Sequence, residues 1–199
     1  MLKRIVVLTL VCLLIAGTAF ASITDDVRRT VDDIIRIVTD KDMKKASSEQ
    51  KRRAAIKRSL SGIFDHQEMA KRSLGKHWNQ RSAAERKQFV DLFAGLLENS
   101  YASKIESYNN EKVVYLKETI DGDYAEVKSK LITPKHDEYT VDYRLLKENN
   151  GKWMVYDVVI EGVSLVSNYR TQFNKIITAN GYPELVKKLQ TKSNELKMQ

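Results

Sequence analysis

WMVYDVVIEGVSLVSNYRTQF, the stretch from Trp153 to Phe173, decides the fold. Its first eight residues have the pattern of a β-strand with two apolar faces, interrupted by a charge only at Asp157. One predicted face carries Met154, Tyr156, Val158 and Ile160, and the other carries Trp153, Val155 and Val159. A strand with two apolar faces must be covered on both sides, so we expect it near the middle of a sheet rather than at a wet surface.

A tight turn and a helix are predicted after this strand. Gly162 lets the backbone reverse sharply because it lacks a Cβ. Ser164 is a suitable N-cap because its side-chain oxygen can accept an unpaired N–H of the first helical turn. Tyr169, Phe173 and Ile176 then recur at helical spacing, which predicts that this helix packs against the sheet.

The first half of the chain is predicted to be helical. Residues 23–38 carry one apolar stripe, and a later helix begins at Asp65 and ends near Gly75. Ser82-Ala83-Ala84-Glu85 matches the S-x-x-E capping box that opens a helix. Gly95 lies inside that helix at a cost of about 1 kcal/mol against alanine, so it indicates a close approach, space for a ligand, or simple tolerance.

The second half changes to strand periodicity. Residues 113–120 and 123–132 predict a hairpin closed by Asp121-Gly122, residues 138–146 a third strand, and Asn150-Gly151 the turn into the opening stretch. Short connections between successive strands predict an antiparallel meander. The predicted fold class is therefore α+β, a curved antiparallel sheet of about four strands covered on one face by several helices, in an NTF2-like arrangement.

The N-terminus has the pattern of a secretory signal peptide. Two cations, Lys3 and Arg4, precede an apolar run at residues 5–16 and an Ala-Phe-Ala site at residues 19–21. We therefore expect residues 1–21 to be cleaved and residues 22–199 to form a single domain. The apolar run is short for a membrane span, which needs about 20 residues.

Composition narrows the class of protein. The one cysteine, Cys12, lies within the predicted signal peptide, so the remaining chain must be stabilised by its core without disulfides. All 26 acidic residues and all but two of the 34 basic residues lie beyond residue 21, which leaves a positive net charge. In an exported protein this charge indicates anionic lipid surfaces or acidic protein partners rather than nucleic acid, or simply a basic surface.

Motifs of catalysis and metal binding are missing from the sequence. The three histidines, His66, His77 and His136, lack metal-ligand spacing, and neither a nucleophile elbow nor a phosphate loop occurs. We expect no metal and no catalytic residue. Asp65 and Asp157 are the acids most embedded in apolar sequence. Each is an alternative general base of a small exported enzyme, although such acids more often cap helices.

Two runs of residues, taken in order, resemble a known family. The first comprises Trp153, Tyr156-Asp157, Glu161-Gly162-Val163-Ser164, Tyr169-Arg170 and Gln172-Phe173. The second comprises Phe64-Asp65, Met69, Leu74-Gly75, Trp78, Glu85-Arg86, Phe89, Phe93 and Tyr101. Together they resemble the MlaC (toluene-tolerance) family of periplasmic phospholipid-binding proteins of Gram-negative bacteria, over nearly all of the chain after residue 21.

The resemblance implies an apolar cavity between the sheet and the helices, because periodicity alone cannot distinguish a hollow interior from a packed core. Ordinary core is the alternative for every residue assigned to this cavity, and the lipid head group is expected at its mouth near Lys or Arg side chains. The residues expected to contact lipid are Phe93, Leu97, Tyr101, Val127, Leu131, Tyr143, Leu145, Tyr156, Val158, Ile160, Val163 and Leu165.

The function implied by the resemblance is that of a carrier, without bond-making. The protein would shelter the tails of a glycerophospholipid and move it between the outer and inner membranes. The implied partners are the MlaD ring of the inner-membrane Mla ABC transporter and the outer-membrane lipoprotein MlaA, and the carrier itself would need no cofactor. The alternatives are a small exported enzyme on an NTF2-like fold and an exported adaptor that binds proteins.

Overall fold

The computed structural model describes residues 22–197, so the predicted signal peptide lies outside the described residues. The helices are α1 (Ile23–Thr39), α2 (Glu49–Ser61), α3 (His66–Leu74), α4 (Ala83–Glu106), α5 (Leu165–Asn180) and α6 (Tyr182–Lys197). Short 3-10 helices cover Ala46–Ser48 and Gly75–Gln80. Within residues 22–197, no helix is both long enough and apolar enough to cross a membrane.

Helix starts follow the side chains that the sequence marks as caps. Ser22 and Ser82 each form a reciprocal capping box with the acidic residue three positions on. Asp65 accepts a hydrogen bond from the N–H of Glu68 at 2.8 Å, and Ser164 caps α5 in the same way. The predicted starts at Ser82 and Ser164 are confirmed, which fixes where α4 and α5 leave the preceding chain.

One antiparallel sheet contains all five strands of the described chain in sequence order. The strands are β1 (Lys112–Asp121), β2 (Tyr124–Ile132), β3 (Glu138–Lys147), β4 (Trp153–Ile160) and β5 (Val163–Ser164). The four-strand meander is confirmed, and β5 adds two residues that pair with the end of β4. In β1, one extra residue, Leu116, interrupts the pairing with β2.

β4 lies one place from the edge, and its remaining side is covered by other segments. The chain between α2 and α3 runs alongside it, where the Val155 N–H donates to the carbonyl of Ile63 at 2.7 Å and the Asp65 N–H donates to the carbonyl of Val155 at 2.9 Å. α3 and α5 also pack against β4. These segments cover the apolar side chains of β4, as expected for a strand with two apolar faces.

The predicted faces of β4 are wrong after Val155 because the strand contains a bulge. Arg144 pairs with Asp157 and Leu145 pairs with Val155, which leaves Tyr156 as an extra residue without a partner. An extra residue reverses the alternation of side chains beyond it. Val158 therefore shares a face with Val155, whereas Tyr156 packs beside Tyr124 with ring centroids 6.1 Å apart.

Two apolar clusters lie on either side of this arrangement. The helical core joins α3, α4, α5 and α6, and it includes Phe89, Phe93 and Phe173, whose ring centroids lie 5.5 to 5.8 Å apart. The sheet core joins α1 to the inner face of the sheet, which we define by Ala125, Val127, Tyr143, Leu145, Val155 and Val158. Between the two clusters the inner face continues without a filled core.

Asp157 connects β4 to the start of α5 and is 3% exposed. Its carboxylate accepts hydrogen bonds from the N–H of Val166 at 3.0 Å and the hydroxyl of Ser164 at 2.6 Å. Arg144 lies 3.4 Å from the same carboxylate. A buried charge with these partners is satisfied, so Asp157 anchors the start of α5 to β4.

Gly95 provides a test of how the fourth helix is packed. A Cβ at this position would meet no atom within 4 Å, so Gly95→Ala should raise the free energy of unfolding by about 0.5–1 kcal/mol through lower chain entropy. Chemical denaturation measures the change. Gly75→Ala is the control, because its φ of +53° and the Arg170 side chain 3.3 Å from the added Cβ should make that substitution destabilising. A destabilised Gly95→Ala would show that α4 needs the glycine.

Candidate functional site

A cavity of about 820 Å³ lies between the inner face of the sheet and the helices. Its sheet wall includes Leu131, Val141, Tyr143, Val155 and Val158. Helix α1 supplies an apolar stripe, Val27, Val31, Ile34, Ile35 and Val38, and α2 adds Ile56 and Leu60. α4 supplies Leu97, Tyr101, Ala102 and Ile105. The walls are therefore almost entirely hydrocarbon, which suits an apolar ligand.

The cavity is deep at one end and open at the other. Residues at the deep end are buried, with Met69 at 2% and Ile63 at 5% exposure. Tyr139 and Ile160 line the cavity at 43% and 37% exposure, and Lys104 near the end of α4 is an exposed lining residue as well. We refer to Lys104, Tyr139 and Ile160 as the mouth. A long ligand can thus have one end enclosed and the other in solvent.

Ion pairs join α2 to α4 where both helices border the cavity. Lys57 lies 2.9 Å from Glu98, and Arg52 lies 2.8 Å from Glu106 with both side chains largely buried. Arg53 also approaches Glu106, at 3.8 Å. These pairs neutralise the charges at this seam, so the seam closes the wall without placing an unpaired charge there.

Burial perturbs the titratable groups of the wall. It raises the pKa of Tyr143 to about 12, and it also raises the pKa of Tyr101. It lowers the pKa of His66, which lines the cavity at the start of α3. Each shift favours the uncharged form, as expected for groups beside an apolar space.

Seven of the twelve predicted lipid-contact residues line this cavity. They are Leu97, Tyr101, Leu131, Tyr143, Val158, Ile160 and Leu165. That they contact lipid remains a prediction, but the structure brings them to one surface. The helical stripe on α4 and the inner face of the sheet account for their convergence.

The other five predicted residues lie elsewhere. Phe93 belongs to the helical core at 1% exposure, and Val127 and Leu145 are fully buried in the sheet core beneath α1. Tyr156 faces away because of the bulge and lies against Arg72, whose guanidinium carbon is 4.0 Å from its ring centroid. Val163 is 59% exposed at the sheet edge.

Sequence reasoning did not assign α1 and α2 to the cavity. The apolar stripe of α1 is plain in the sequence, but a stripe against packed core and a stripe against an empty space have the same periodicity. Its neighbour Thr30 also lines the cavity, yet a single threonine among apolar residues is no signal. The missing information was the separation between α1 and the sheet.

The two acids proposed as alternative general bases serve as caps in the structure. Asp65 accepts the Glu68 N–H at the start of α3, and Asp157 anchors α5. Neither lines the cavity. Among residues 22–197, no group of three or more histidine, cysteine or acidic side chains is placed to hold a metal ion.

Known proteins are similar to this chain in sequence. The sequence model of the MlaC protein family matches residues 28–191. The intermembrane phospholipid transport system binding protein MlaC of Haemophilus influenzae is 24% identical over 147 residues, 72% of this chain and 69% of that protein. The toluene tolerance protein ttg2D of Pseudomonas putida is 28% identical over 130 residues, 64% of this chain and 60% of that protein, so the chain spans less than two thirds of the latter.

A solved structure has a similar fold. It is the phospholipid-binding protein of Ralstonia solanacearum in complex with a phospholipid, with a TM-score of 0.76 and 27% sequence identity. The likeness covers 86% of this chain and 96% of that one.

The stability of the folded protein should depend on pH through Tyr143, a residue of the cavity wall. The folded protein holds the phenolic proton more tightly than the unfolded chain, whose tyrosine has a pKa near 10. Stability should therefore fall as the pH rises from about 10 toward 12. Denaturation of wild type and Tyr143→Phe at pH 9 and pH 11 measures this, and the wild type should lose more. Equal losses would mean that Tyr143 titrates as in water.

Proposed function

The chain belongs to the MlaC family, and from that premise we propose that it is a periplasmic phospholipid carrier. It holds the acyl chains of a glycerophospholipid in the cavity and shuttles the lipid between the outer and inner membranes as part of a lipid transport system. The observation that carries the proposal is a cavity of about 820 Å³ with apolar walls and one exposed end.

The free energy of sheltering tails from water explains why an enclosed space is needed. Each methylene that is removed from water contributes about 0.8 kcal/mol. Burying two chains of about 15 carbons therefore contributes roughly 20 kcal/mol of favourable free energy. A shallow surface groove leaves much of each chain wet. The enclosed end, formed by residues such as Met69 and Ile63, removes water from the tails, while the head group stays at the mouth.

The tails are proposed to contact the seven predicted residues that converge on the cavity and the apolar stripes of α1 and α2. Binding and release require no bond-making, so the chain is proposed to act without catalysis. The acids that a general-base mechanism would use are engaged as helix caps, which supports a carrier rather than an enzyme.

The partners and the location follow from the same family membership. We propose that the protein is exported by a signal peptide at residues 1–21, receives lipid from or delivers it to the outer-membrane lipoprotein MlaA, and exchanges it with the MlaD ring of the inner-membrane Mla ABC transporter. ATP hydrolysis would belong to that transporter. Nucleic acid has no part in the proposal.

Lipid analysis of the purified protein tests the function directly. Protein prepared from the periplasm without detergent should contain about one phospholipid per chain, measured by native mass spectrometry and by solvent extraction. Consistently lipid-free protein that also fails to take up phospholipid from vesicles would rule out the carrier.

A bulky substitution in the sheet wall separates lipid binding from folding. Val158→Trp adds a large side chain where Val158 borders the cavity, so it should lower bound phospholipid several-fold while the melting temperature changes little, since the added ring enters empty space. Val114→Trp, the same substitution at a residue 40% exposed on β1, is the control and should keep its lipid. Equal loss of lipid and of stability in Val158→Trp would identify Val158 as ordinary core.

A further inference from the structure

Three cationic side chains line the cavity, and two of them already have acidic partners. Lys57 lies 2.9 Å from Glu98. Arg53 lies 3.1 Å from Glu49 and 3.8 Å from Glu106. The charges of both residues are therefore compensated by the protein itself, and neither needs a ligand for that purpose.

Lys104 is different. Its ammonium lies 5.6 Å from the ring centroid of Tyr101, which also lines the cavity, and no carboxylate oxygen among the side chains of residues 22–195 lies within 4.0 Å of it. Glu111, an acid that also lines the cavity, accepts the N–H of Asn109 at 2.6 Å. The Tyr101 ring thus places a positive charge at the boundary between the apolar wall and solvent.

We propose that the Lys104 ammonium binds the phosphate of a phospholipid whose tails occupy the cavity, and that this contact distinguishes phospholipid from diacylglycerol. The inference rests on the proposed function. The apolar walls contact only hydrocarbon, so they hold the tails of both lipids equally well. A phosphate at the mouth is the group that differs, and Lys104 is the cation there without an acidic partner among the described side chains.

The contact is exposed, so its contribution is modest and depends on salt. An exposed ion pair changes an affinity by up to about five-fold. Ions screen charges over about 8 Å at physiological ionic strength, so the preference for phospholipid should shrink as salt is added. Contacts with hydrocarbon do not respond to salt in this way.

Competition binding tests the proposal. The full protein, stripped of lipid, is loaded with an uncharged fluorescent alkyl probe, which is displaced by dioctanoyl phosphatidylglycerol or by dioctanoylglycerol at low and at high salt. Wild type should favour the phospholipid, more so at low salt. Lys104→Gln should reduce the ratio of the two affinities by about five-fold at low salt and remove its salt dependence. Lys87→Gln, which removes an exposed cation of the same helix that is paired with Asp91 and lies outside the cavity, should leave the ratio unchanged.

The other outcomes are distinct. An unchanged ratio in Lys104→Gln, or an equal change in Lys87→Gln, would overturn the assignment of Lys104. Equal weakening of both lipids in Lys104→Gln would overturn it as well, since that pattern reports damage to the wall. Wild-type protein that binds neither lipid would instead contradict the proposed carrier.

Discussion

At Tyr156 the backbone of β4 contains one residue more than β3, and the side chains that follow exchange faces. Val155 and Val158 therefore point to the same side, which extends the apolar inner face along β4. Without the extra residue, strict alternation from Val155 would turn Val158 away from α1 and bring Asp157 inward. The bulge thus decides which side chains of β4 form the cavity wall, and the ring of Tyr156 lies against the guanidinium of Arg72.

The cavity stays open because the helices that border it are packed into the helical core and the sheet core. Phe89, Phe93 and Phe173 pack against one another in the helical core, which positions α4, while Leu97 and Tyr101, further along the same face of α4, line the cavity. In the same way, Ile23 and Val27 pack into the sheet core and position α1. Two separate cores therefore hold the walls apart, and the apolar surface between them is stabilised when hydrocarbon replaces water.

The sequence predicted the elements well and the cavity only in part. Caps at Ser82 and Ser164, and the succession of four strands, depend on local patterns that side chains reveal directly. No glycine or other local pattern indicates the bulge at Tyr156. The bulge places Tyr156 outside the cavity, although the sequence had predicted that it contacts lipid. Phe93 and Leu97 illustrate the other limit. Both are apolar residues of one helix, and only the distance to a neighbouring element separates packed core from cavity wall.

The edge strand β1 has a consequence for a carrier that releases its bound lipid repeatedly. Its outer edge has no partner strand in the described chain, and such edges tend to recruit other strands and nucleate fibres. The extra residue Leu116 breaks the regular register, and Lys112 and Lys117 add positive charge along the same strand. Copies approaching edge to edge therefore meet an irregular strand that carries charged side chains. The bulge and the lysines of β1 thus oppose the pairing of one copy's edge with that of another.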